Sequence, residues 1–308
     1  MSKAVCLMGP TASGKTDITV QIAEKLPVDV ISVDSALVYR GMDIGTAKPD
    51  ADLLERVPHC LVDIRDPEEG YSAGEFLRDA QAEIERSLDS GRVPLLVGGT
   101  MMYFRALTRG LAELPGGNAA IRAEIDAAAQ KLGWPALHEE LLRVDPRAAS
   151  RIQPADSQRI QRALEVYRSS GRTMSDWQAE TTVPAQSSFL KIALLPPSRE
   201  ILHRRIAQRL ESMMKNGFVD EVRRLRQRNG LVAESASMRA VGYRQIWSYL
   251  DGRFDLDEGT RRALYATRQL AKRQLTWLRS EDELTIFDPL EDRVSSTITR
   301  YLQKELDL

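Results

Sequence analysis

The residues best suited to chemistry form a glycine-rich phosphate-binding pattern near the amino terminus. Residues 9–16 read Gly-Pro-Thr-Ala-Ser-Gly-Lys-Thr and match the spacing G-x-x-x-x-G-K-[ST] in full. An apolar run, 4–8, precedes the pattern, and a helix-like stretch, 16–26, follows it. At such a strand-to-helix turn, backbone N–H groups and the helix N-terminus converge on a diphosphate or triphosphate. The predicted phosphate-binding residues are Gly9, Thr11, Ala12, Ser13, Gly14, Lys15 and Thr16.

Two side chains of this loop have separate predicted roles. Lys15 places a point charge on the terminal phosphate, and the Thr16 hydroxyl suits Mg²⁺, a hard cation that prefers oxygen ligands. We therefore expect Mg²⁺ as the cofactor, with Thr16 as the one metal ligand that the sequence identifies. The alternative is an ordinary glycine turn with an exposed lysine, which leaves the unbroken pattern unexplained.

A carboxylate, Asp34, follows the apolar run 28–33. Ligands of open parallel sheets bind at the carboxyl ends of the strands, so Asp34 should lie beside the phosphate loop, where it could hold Mg²⁺ or accept a proton. A turn-forming aspartate before Ser35 is the alternative. The polar, glycine-punctuated segment 39–49 is too long for a connecting turn and is predicted to cover a substrate.

The strand predicted over 93–97 lacks the acidic end that helps hold Mg²⁺ in an ordinary ATPase. It ends in two glycines and Thr100 instead. The glycines let a ligand approach the backbone closely, and Thr100 can hydrogen-bond that ligand. This pattern counts against an ATPase without excluding one, because Asp34 or Asp63 could replace the missing carboxylate.

Two segments in the second half of the chain combine polar, basic and aromatic residues. Gln158 and Gln161, like Arg159 and Arg162, are three residues apart on a predicted helix, and such a face suits contacts to phosphates and base edges. A solvated helix face is the alternative. The segment 238–244 reads Met-Arg-Ala-Val-Gly-Tyr-Arg, which suits either RNA stacking or ordinary helix packing.

The order of apolar runs and helical patterns predicts how these residues are positioned. Over the first half of the core, short apolar runs alternate with helical patterns, which is typical of a parallel α/β sheet. Ser72 and Glu75 have the spacing of a capping box. The predicted strands are 4–8, 28–33, 60–64 and 93–97, and the predicted helices of this part are 72–90 and 100–109.

The pattern changes at Leu-Pro-Gly-Gly, residues 114–117. From there to about residue 179 it is helical without a β-like run, and 181–188 is loop-like. Afterwards, 190–195 reads as a buried strand. The remaining predicted elements are helices at 199–216, 219–227 and 257–280, a strand at 284–287 and a terminal helix.

We therefore predict an α/β fold, a P-loop core with a parallel sheet flanked by helices, plus an inserted all-helical domain. The core would consist of residues 1–113 and 187–308, and the insertion of residues 114–186.

The net charge of −1 hides a local asymmetry. The segment 143–172 contains seven arginines and three acidic residues, and 261–279 contains six basic residues and no acidic one. Such segments allow a nucleic-acid partner, although solvated helix faces are the alternative. No apolar run approaches the ~20 residues that span a bilayer, and Cys6 and Cys60 form no C-x-x-C pair. We expect a cytoplasmic protein without membrane association.

The blocks together resemble the tRNA dimethylallyltransferases, also called tRNA isopentenyltransferases. The pattern 34–49, Asp-Ser-Ala-Leu-Val-Tyr-Arg-Gly-Met-Asp-Ile-Gly-Thr-Ala-Lys-Pro, is the most specific of the shared signatures. The others are 9–16, 98–104, 158–162 and 238–244, and all stand in the family's order. Because the chain lacks the zinc finger of many eukaryotic members, it is similar to the bacterial form.

This resemblance implies a reaction and its partners. The family transfers the dimethylallyl group of dimethylallyl diphosphate to N6 of the adenine 3′ of the anticodon, which forms N6-isopentenyladenosine and releases diphosphate. The loop 9–16 would then bind the diphosphate, which explains the missing acidic residue after 93–97. The implied partners are dimethylallyl diphosphate and the tRNA anticodon stem-loop, the latter bound by the insertion, and we expect a monomer.

The resemblance also implies residue roles. Asp34 would contact N6 and take its proton, Thr100 would lie at the reacting centre, and Lys15 would neutralise the departing diphosphate. The implied tRNA-binding residues are Asp34, Ser35, Ala36, Leu37, Thr100, Arg122, Gln158, Arg159, Ile160, Gln161, Arg162, Met238, Arg239, Ala240, Val241, Gly242 and Tyr243.

Three alternatives remain open from the sequence. A P-loop small-molecule or nucleoside kinase would show much the same loop and sheet. A transferase that uses free AMP has a related core, but a mononucleotide needs no helical insertion of this size. An RNA-binding regulator with a relic loop would not need Lys15, Thr16 and Asp34 intact.

Overall fold

The computed structural model describes residues 3–180 and 188–308. These residues form two compact units. The first contains residues 3–107 and 188–308, and the second contains residues 108–180. Most of the loop predicted at 181–188 lies outside the described residues.

The first unit is built on a six-stranded sheet in the order β3-β2-β4-β1-β5-β6, and all its pairings are parallel. This arrangement confirms the predicted α/β class. The strands are β1 (Lys3–Met8), β2 (Val28–Val33), β3 (His59–Cys60), β4 (Val93–Gly98), β5 (Ser188–Leu194) and β6 (Leu284–Phe287).

Helices cover the sheet on both of its faces. The helices that begin in the first unit are α1 (Lys15–Ala23), α2 (Ala51–Arg56), α3 (Ala73–Asp89), α4 (Met101–Arg109), α10 (Arg199–Lys215), α11 (Phe218–Leu225), α12 (Tyr243–Leu250), α13 (Leu256–Arg279) and α14 (Val294–Leu306). Helices α5 to α9 belong to the second unit. A 3₁₀ turn covers Ser237–Arg239. Helices α2 and α12, which are only six and eight residues long, were not predicted from the sequence.

The alternation of side chains along the strands explains the two covered faces. Cys6 belongs to an apolar cluster with Phe76 of α3 and Tyr103 of α4. Its neighbour Leu7 belongs to a cluster with Ile22 of α1 on the other side, where α14 also packs. A parallel sheet buried on both faces is held by this burial of apolar surface, and it presents its strand ends as the accessible edge.

The strand predicted at 60–64 is wrong in its extent, because β3 ends at Cys60. Leu61 and Asp63 have φ angles of 63° and 55°, and this left-handed backbone cannot continue a strand. The capping box of α3 is present, since Ser72 Oγ accepts from the Glu75 N–H at 3.2 Å and Glu75 accepts from the Ser72 N–H at 2.8 Å.

The second unit contains helices only, within its described residues. They are α5 (Ala119–Leu132), α6 (Trp134–Val144), α7 (Pro146–Ala149), α8 (Ser157–Ser170) and α9 (Met174–Ala179). Their apolar faces meet in a core that includes Ile125, Leu141, Ile160 and Leu164.

Both thiols of the chain are free and shielded. Cys6 is fully buried in β1, and burial raises the pKa of its thiol. Cys60 is partly buried, and its pKa is raised to about 11, chiefly by desolvation and then by the nearby Glu83 carboxylate. Across 3–180 and 188–308, every helix is too short or too polar to span a bilayer.

Candidate active site

The phosphate loop forms a tight turn that opens directly into α1. The Ser13 N–H donates to the Pro10 carbonyl at 3.2 Å, and Gly14, with a φ of 93°, precedes the first residue of the helix. Among the residues that the structure describes, no side chain caps this helix N-terminus. The first N–H groups of a helix have no intrahelical partner, so those at the start of α1 are available to an anion.

Lys15 folds back over the loop that it follows. Its Nζ donates to the carbonyls of Gly9 and Pro10, at 2.9 Å each. The pKa of Lys15 is lowered to about 7, first because burial penalises the charged form and second because Arg209 repels it, while Asp34 acts in the opposite direction. A bound diphosphate would supply the negative charge that this ammonium group lacks.

Two arginines of α10 without a predicted role lie beside the site, one against the phosphate loop and one against the loop that follows β2. Arg205 Nε donates to the Ala12 carbonyl at 2.8 Å. Arg209, one turn further on, donates from Nη2 to the Thr46 carbonyl at 2.7 Å. The Nε of Arg209 is buried and has no hydrogen-bond partner among the described residues. Lys15, Arg205 and Arg209 therefore form a cationic pocket, in which Arg209 Nε is an unsatisfied hydrogen-bond donor.

Asp34 and Thr100 lie side by side at the carboxyl ends of β2 and β4. The Ser35 N–H donates to Thr100 Oγ1 at 3.1 Å, and the Thr100 N–H donates to the Val33 carbonyl at 3.2 Å. The strands approach closely here, because a Cβ on Gly98 would lie 2.0 Å from the Val33 oxygen. Only glycine permits this approach, which brings Thr100 next to Asp34.

The Asp34 carboxylate both forms a turn and keeps one oxygen available. Its Oδ1 accepts from the Ala36 N–H at 2.8 Å and from the Leu37 N–H at 3.4 Å, as the turn interpretation predicts. Its Oδ2 makes no hydrogen bond within 3–180 and 188–308 and is left for a ligand. The carboxylate also acts on the pKa of Lys15 and of Arg209, which places it beside the cationic pocket.

The loop between β2 and α2 is held in place by a buried lysine and a buried carboxylate. Lys48, whose side chain is 4% exposed, donates to the Tyr39 carbonyl at 2.8 Å and to the carboxylates of Asp43 and Asp63. Buried Glu221 of α11 accepts from the N–H groups of residues 43–45 at 2.7–3.0 Å. This fastening sets the position of the Thr46 carbonyl, which in turn orients Arg209.

The segment 238–243 contributes to packing with two of its side chains. Met238 and Tyr243 are fully buried. The Tyr243 ring packs edge-on against Phe218 at 5.0 Å, and its hydroxyl donates to Glu221 at 2.5 Å. The Tyr243 ring therefore follows the packing alternative, and contact of this segment with RNA stays a prediction. Arg239 remains exposed.

In the second unit, the structure separates the residues predicted to face RNA. Gln158 and Arg159 are exposed, whereas Ile160 is buried in the core and Gln161 donates to Asp126 at 2.6 Å. Arg159 and Arg162 lie on one helix as predicted, but Arg162 is only partly exposed and is bound within the unit, so its contact with RNA stays a prediction.

The partner of Arg162 is a buried carboxylate. Glu165 accepts from Arg162 Nη1 at 2.7 Å, from Arg122 Nε at 2.8 Å and from the Asn118 N–H at 2.7 Å. Burial alone would raise the pKa of Glu165, but these hydrogen bonds outweigh it and lower the pKa below its usual value. Arg122 thus joins α5 to α8, whereas Arg162 binds Glu165 within α8 and donates to the Pro115 carbonyl at 2.7 Å.

The parallel sheet, the phosphate loop and the carboxylate at the neighbouring strand end define a P-loop α/β transferase site. The family model "IPP transferase" matches residues 37–281. A tRNA dimethylallyltransferase of Hahella chejuensis is 50% identical, over 98% of this chain and 96% of that protein. The chain therefore belongs to the tRNA isopentenyltransferase family, as its motifs indicated.

Solved structures agree in fold. A tRNA isopentenylpyrophosphate transferase of Bacillus halodurans is 35% identical with a TM-score of 0.74, and the match covers 100% of this chain and 97% of that one. A Staphylococcus epidermidis counterpart is 29% identical with a TM-score of 0.70, over 100% and 99% of the two chains. A eukaryotic dimethylallyltransferase acting on tRNA shares the fold at a TM-score of 0.82 and 24% identity, over 100% and 79% of the two chains.

Proposed function

We propose that the protein transfers the dimethylallyl group of dimethylallyl diphosphate to N6 of the adenine 3′ of the anticodon of tRNA. The product is N6-isopentenyladenosine, and diphosphate is released. The observation that carries this proposal is the cationic pocket beside the available Oδ2 of Asp34, with Thr100 next to it. The positive charge of the pocket can stabilise a leaving diphosphate, and the Asp34 carboxylate can accept the proton that an attacking amine loses. Family membership supports this function over a kinase.

The acceptor half of the reaction depends on Asp34 and Thr100. The exocyclic amine of adenine is a poor nucleophile and must be held in line with C1 of the allyl group. As the N6–C1 bond forms, Asp34 Oδ2 takes the proton that N6 loses. Thr100, fixed by the Ser35 N–H, hydrogen-bonds the amine and sets its direction. The target base must leave its stack to reach this site.

The donor half depends on the loop and α10. When the C1–O bond breaks, its electron pair stays with the diphosphate, whose charge Lys15, Arg209 and the N–H groups at the start of α1 neutralise. Arg205 holds the loop through the Ala12 carbonyl. These groups are in place before the reaction and need little reorganisation.

Mg²⁺ fits the same end of the site. The Thr16 hydroxyl lies in the first turn of α1, where it can hold the cation against diphosphate oxygens, and Mg²⁺ usually keeps several waters beside one or two protein ligands. No group of three or more His, Cys, Asp or Glu residues able to hold a metal occurs in the described residues, which suits a substrate-associated ion. Bound there, Mg²⁺ would add positive charge beside the departing diphosphate.

We also propose that the second unit binds the anticodon stem-loop, and that the protein acts as a cytoplasmic monomer. The exposed side chains of Gln158 and Arg159, together with the local excess of arginine, support the first statement. Base-specific RNA recognition favours such loops because their bases can be splayed out.

A direct assay tests the reaction. The protein is incubated with labelled dimethylallyl diphosphate, Mg²⁺ and a synthetic anticodon stem-loop with adenine at the modified site, and the digested RNA is analysed for N6-isopentenyladenosine. We expect the label in this nucleoside alone. Prenylation of AMP supplied in place of the stem-loop, or transfer of γ-phosphate from labelled ATP to a nucleoside, would contradict the proposal.

Removing the charge of Arg159 tests the RNA surface. Arg159→Gln should weaken stem-loop binding and reduce the slope of log affinity against log salt by ~0.7–0.9. Affinity for dimethylallyl diphosphate should not change. The matched control is Arg143→Gln, an exposed arginine of α6. Equal effects of the two variants would show a general charge effect. Arg162 is unsuitable as a probe, because its loss leaves buried Glu165 short of a cation.

A further inference from the structure

One buried amide joins the two halves of the site. Gln274 of α13 is 7% exposed, although glutamine is usually a surface residue. Its Oε1 accepts from the Thr11 N–H at 2.9 Å, and its Nε2 donates to the Gly99 carbonyl at 2.8 Å. An N–H needs an acceptor and a carbonyl needs a donor, so only this orientation of the amide satisfies both groups.

The two bonded groups belong to different halves of the proposed reaction. Thr11 is part of the loop that holds the leaving group, and Gly99 immediately precedes Thr100, which lies beside the attacking amine. The phosphate loop and the segment at Gly99 approach closely here, because a Cβ on Gly99 would lie 2.6 Å from Gln274 Nε2 and 3.3 Å from the Gly9 carbonyl oxygen. The Gln274 amide therefore links the loop proposed to hold the leaving diphosphate to the segment proposed to hold the attacking amine.

The hydrogen bond from the Thr11 N–H to Gln274 determines which N–H groups of the loop can bind the diphosphate. Because the Thr11 N–H is used by Gln274, Thr11 can reach the diphosphate only through its hydroxyl. The N–H groups of Ala12 and Gly14, together with those at the start of α1, remain for the diphosphate. Gln274 thus holds the loop through the Thr11 N–H and leaves the other free N–H groups of the loop to the diphosphate.

We propose that Gln274 is a positioning residue that fixes the distance between the diphosphate-holding loop and the acceptor-holding segment at Thr100. This inference rests on the proposed function. In-line transfer needs reacting atoms about 3–3.5 Å apart, and a displacement of about 1 Å can cost about 100-fold in rate. Gln274 acts on the spacing of the two substrates, and each substrate keeps its own contacts.

Three variants test this role in the full chain. Gln274→Met keeps the shape of the side chain but removes both hydrogen bonds. Gln274→Glu keeps the acceptor for the Thr11 N–H and loses the donor to the Gly99 carbonyl. The matched control is Gln303→Met, the same change at an exposed glutamine of α14. Each is measured for single-turnover transfer, for Kd of dimethylallyl diphosphate and of the stem-loop, and for Tm.

We expect Gln274→Met to lower the single-turnover rate by about 10- to 100-fold, while both Kd values change by less than about threefold. A protonated carboxyl group offers the same donor and acceptor as the amide. The rate of Gln274→Glu relative to the parent protein should therefore rise as the pH falls from about 7 to about 5. A merely structural role would not produce this rescue.

Two outcomes would overturn the inference. One is a wild-type rate for Gln274→Met; the other is a loss of rate matched by an equal loss of diphosphate affinity and of Tm, with no recovery of Gln274→Glu at low pH. The parent protein and Gln303→Met report separately on the proposed function, because neither would prenylate the stem-loop if that function were wrong.

Discussion

Replacing Asp34 with asparagine is expected to slow prenyl transfer by about 100-fold or more, the lower range for removal of a general base. Asparagine keeps the side-chain oxygen that accepts from the N–H groups of Ala36 and Leu37, so the turn after β2 should survive. Only the proton acceptor facing the amine is lost. The measurement is single-turnover transfer with saturating stem-loop, alongside the Kd of the RNA.

Asp29→Asn is the matched control for that change, because Asp29 lies on the same strand and pairs with Arg92 away from the strand's carboxyl end. We expect it to transfer at nearly the parent rate. Near-normal turnover of Asp34→Asn, with product identified as N6-isopentenyladenosine, would mean that another group takes the proton.

The second large effect is expected at Lys15. Lys15→Met should lower the transfer rate by about 100- to 1,000-fold, the range for loss of one donor at a developing negative charge. It should also weaken binding of dimethylallyl diphosphate while stem-loop binding stays intact. Lys25→Met, an exposed lysine just beyond the other end of α1, is the control. Unchanged diphosphate affinity in Lys15→Met would contradict the assignment.

The pKa of Lys15 adds a pH signature to this prediction. In the free protein the pKa is lowered to about 7, so the side chain is largely neutral above that pH. A bound diphosphate favours the ammonium form, and binding above about pH 7 should therefore take up a proton. Affinity for dimethylallyl diphosphate should fall as the pH rises from about 7 to about 9. The same titration of Lys15→Met should be flatter.

The parts of the site that the sequence predicted are those set by local pattern. The loop 9–16 follows from its spacing, and the position of Asp34 at the edge of the sheet beside this loop follows from the parallel strand that ends before it. The end of β3 was not predictable in the same way, because the apolar residues after Cys60 continue the pattern while the backbone at Leu61 and Asp63 turns left-handed.

The residues that were missed reach the site from distant helices. Helix α10 contains several arginines, and helical spacing places Arg205 and Arg209 on one face without showing that one meets the phosphate loop and the other the loop after β2. Gln274 is separated from Thr11 by 263 positions. The sequence also does not show which polar side chains are buried, since Glu165 and Glu221 look like surface carboxylates until their hydrogen-bond donors are known.

The two shielded thiols have a practical consequence for labelling this protein with a fluorescent dye. Thiol reagents attack the thiolate of accessible cysteines, and neither Cys6 nor Cys60 offers one near neutral pH. A single cysteine introduced at an exposed position, such as Gln158→Cys on α8, would then be the site that a maleimide dye labels. The native chain can carry a fluorescent reporter without first removing its own cysteines.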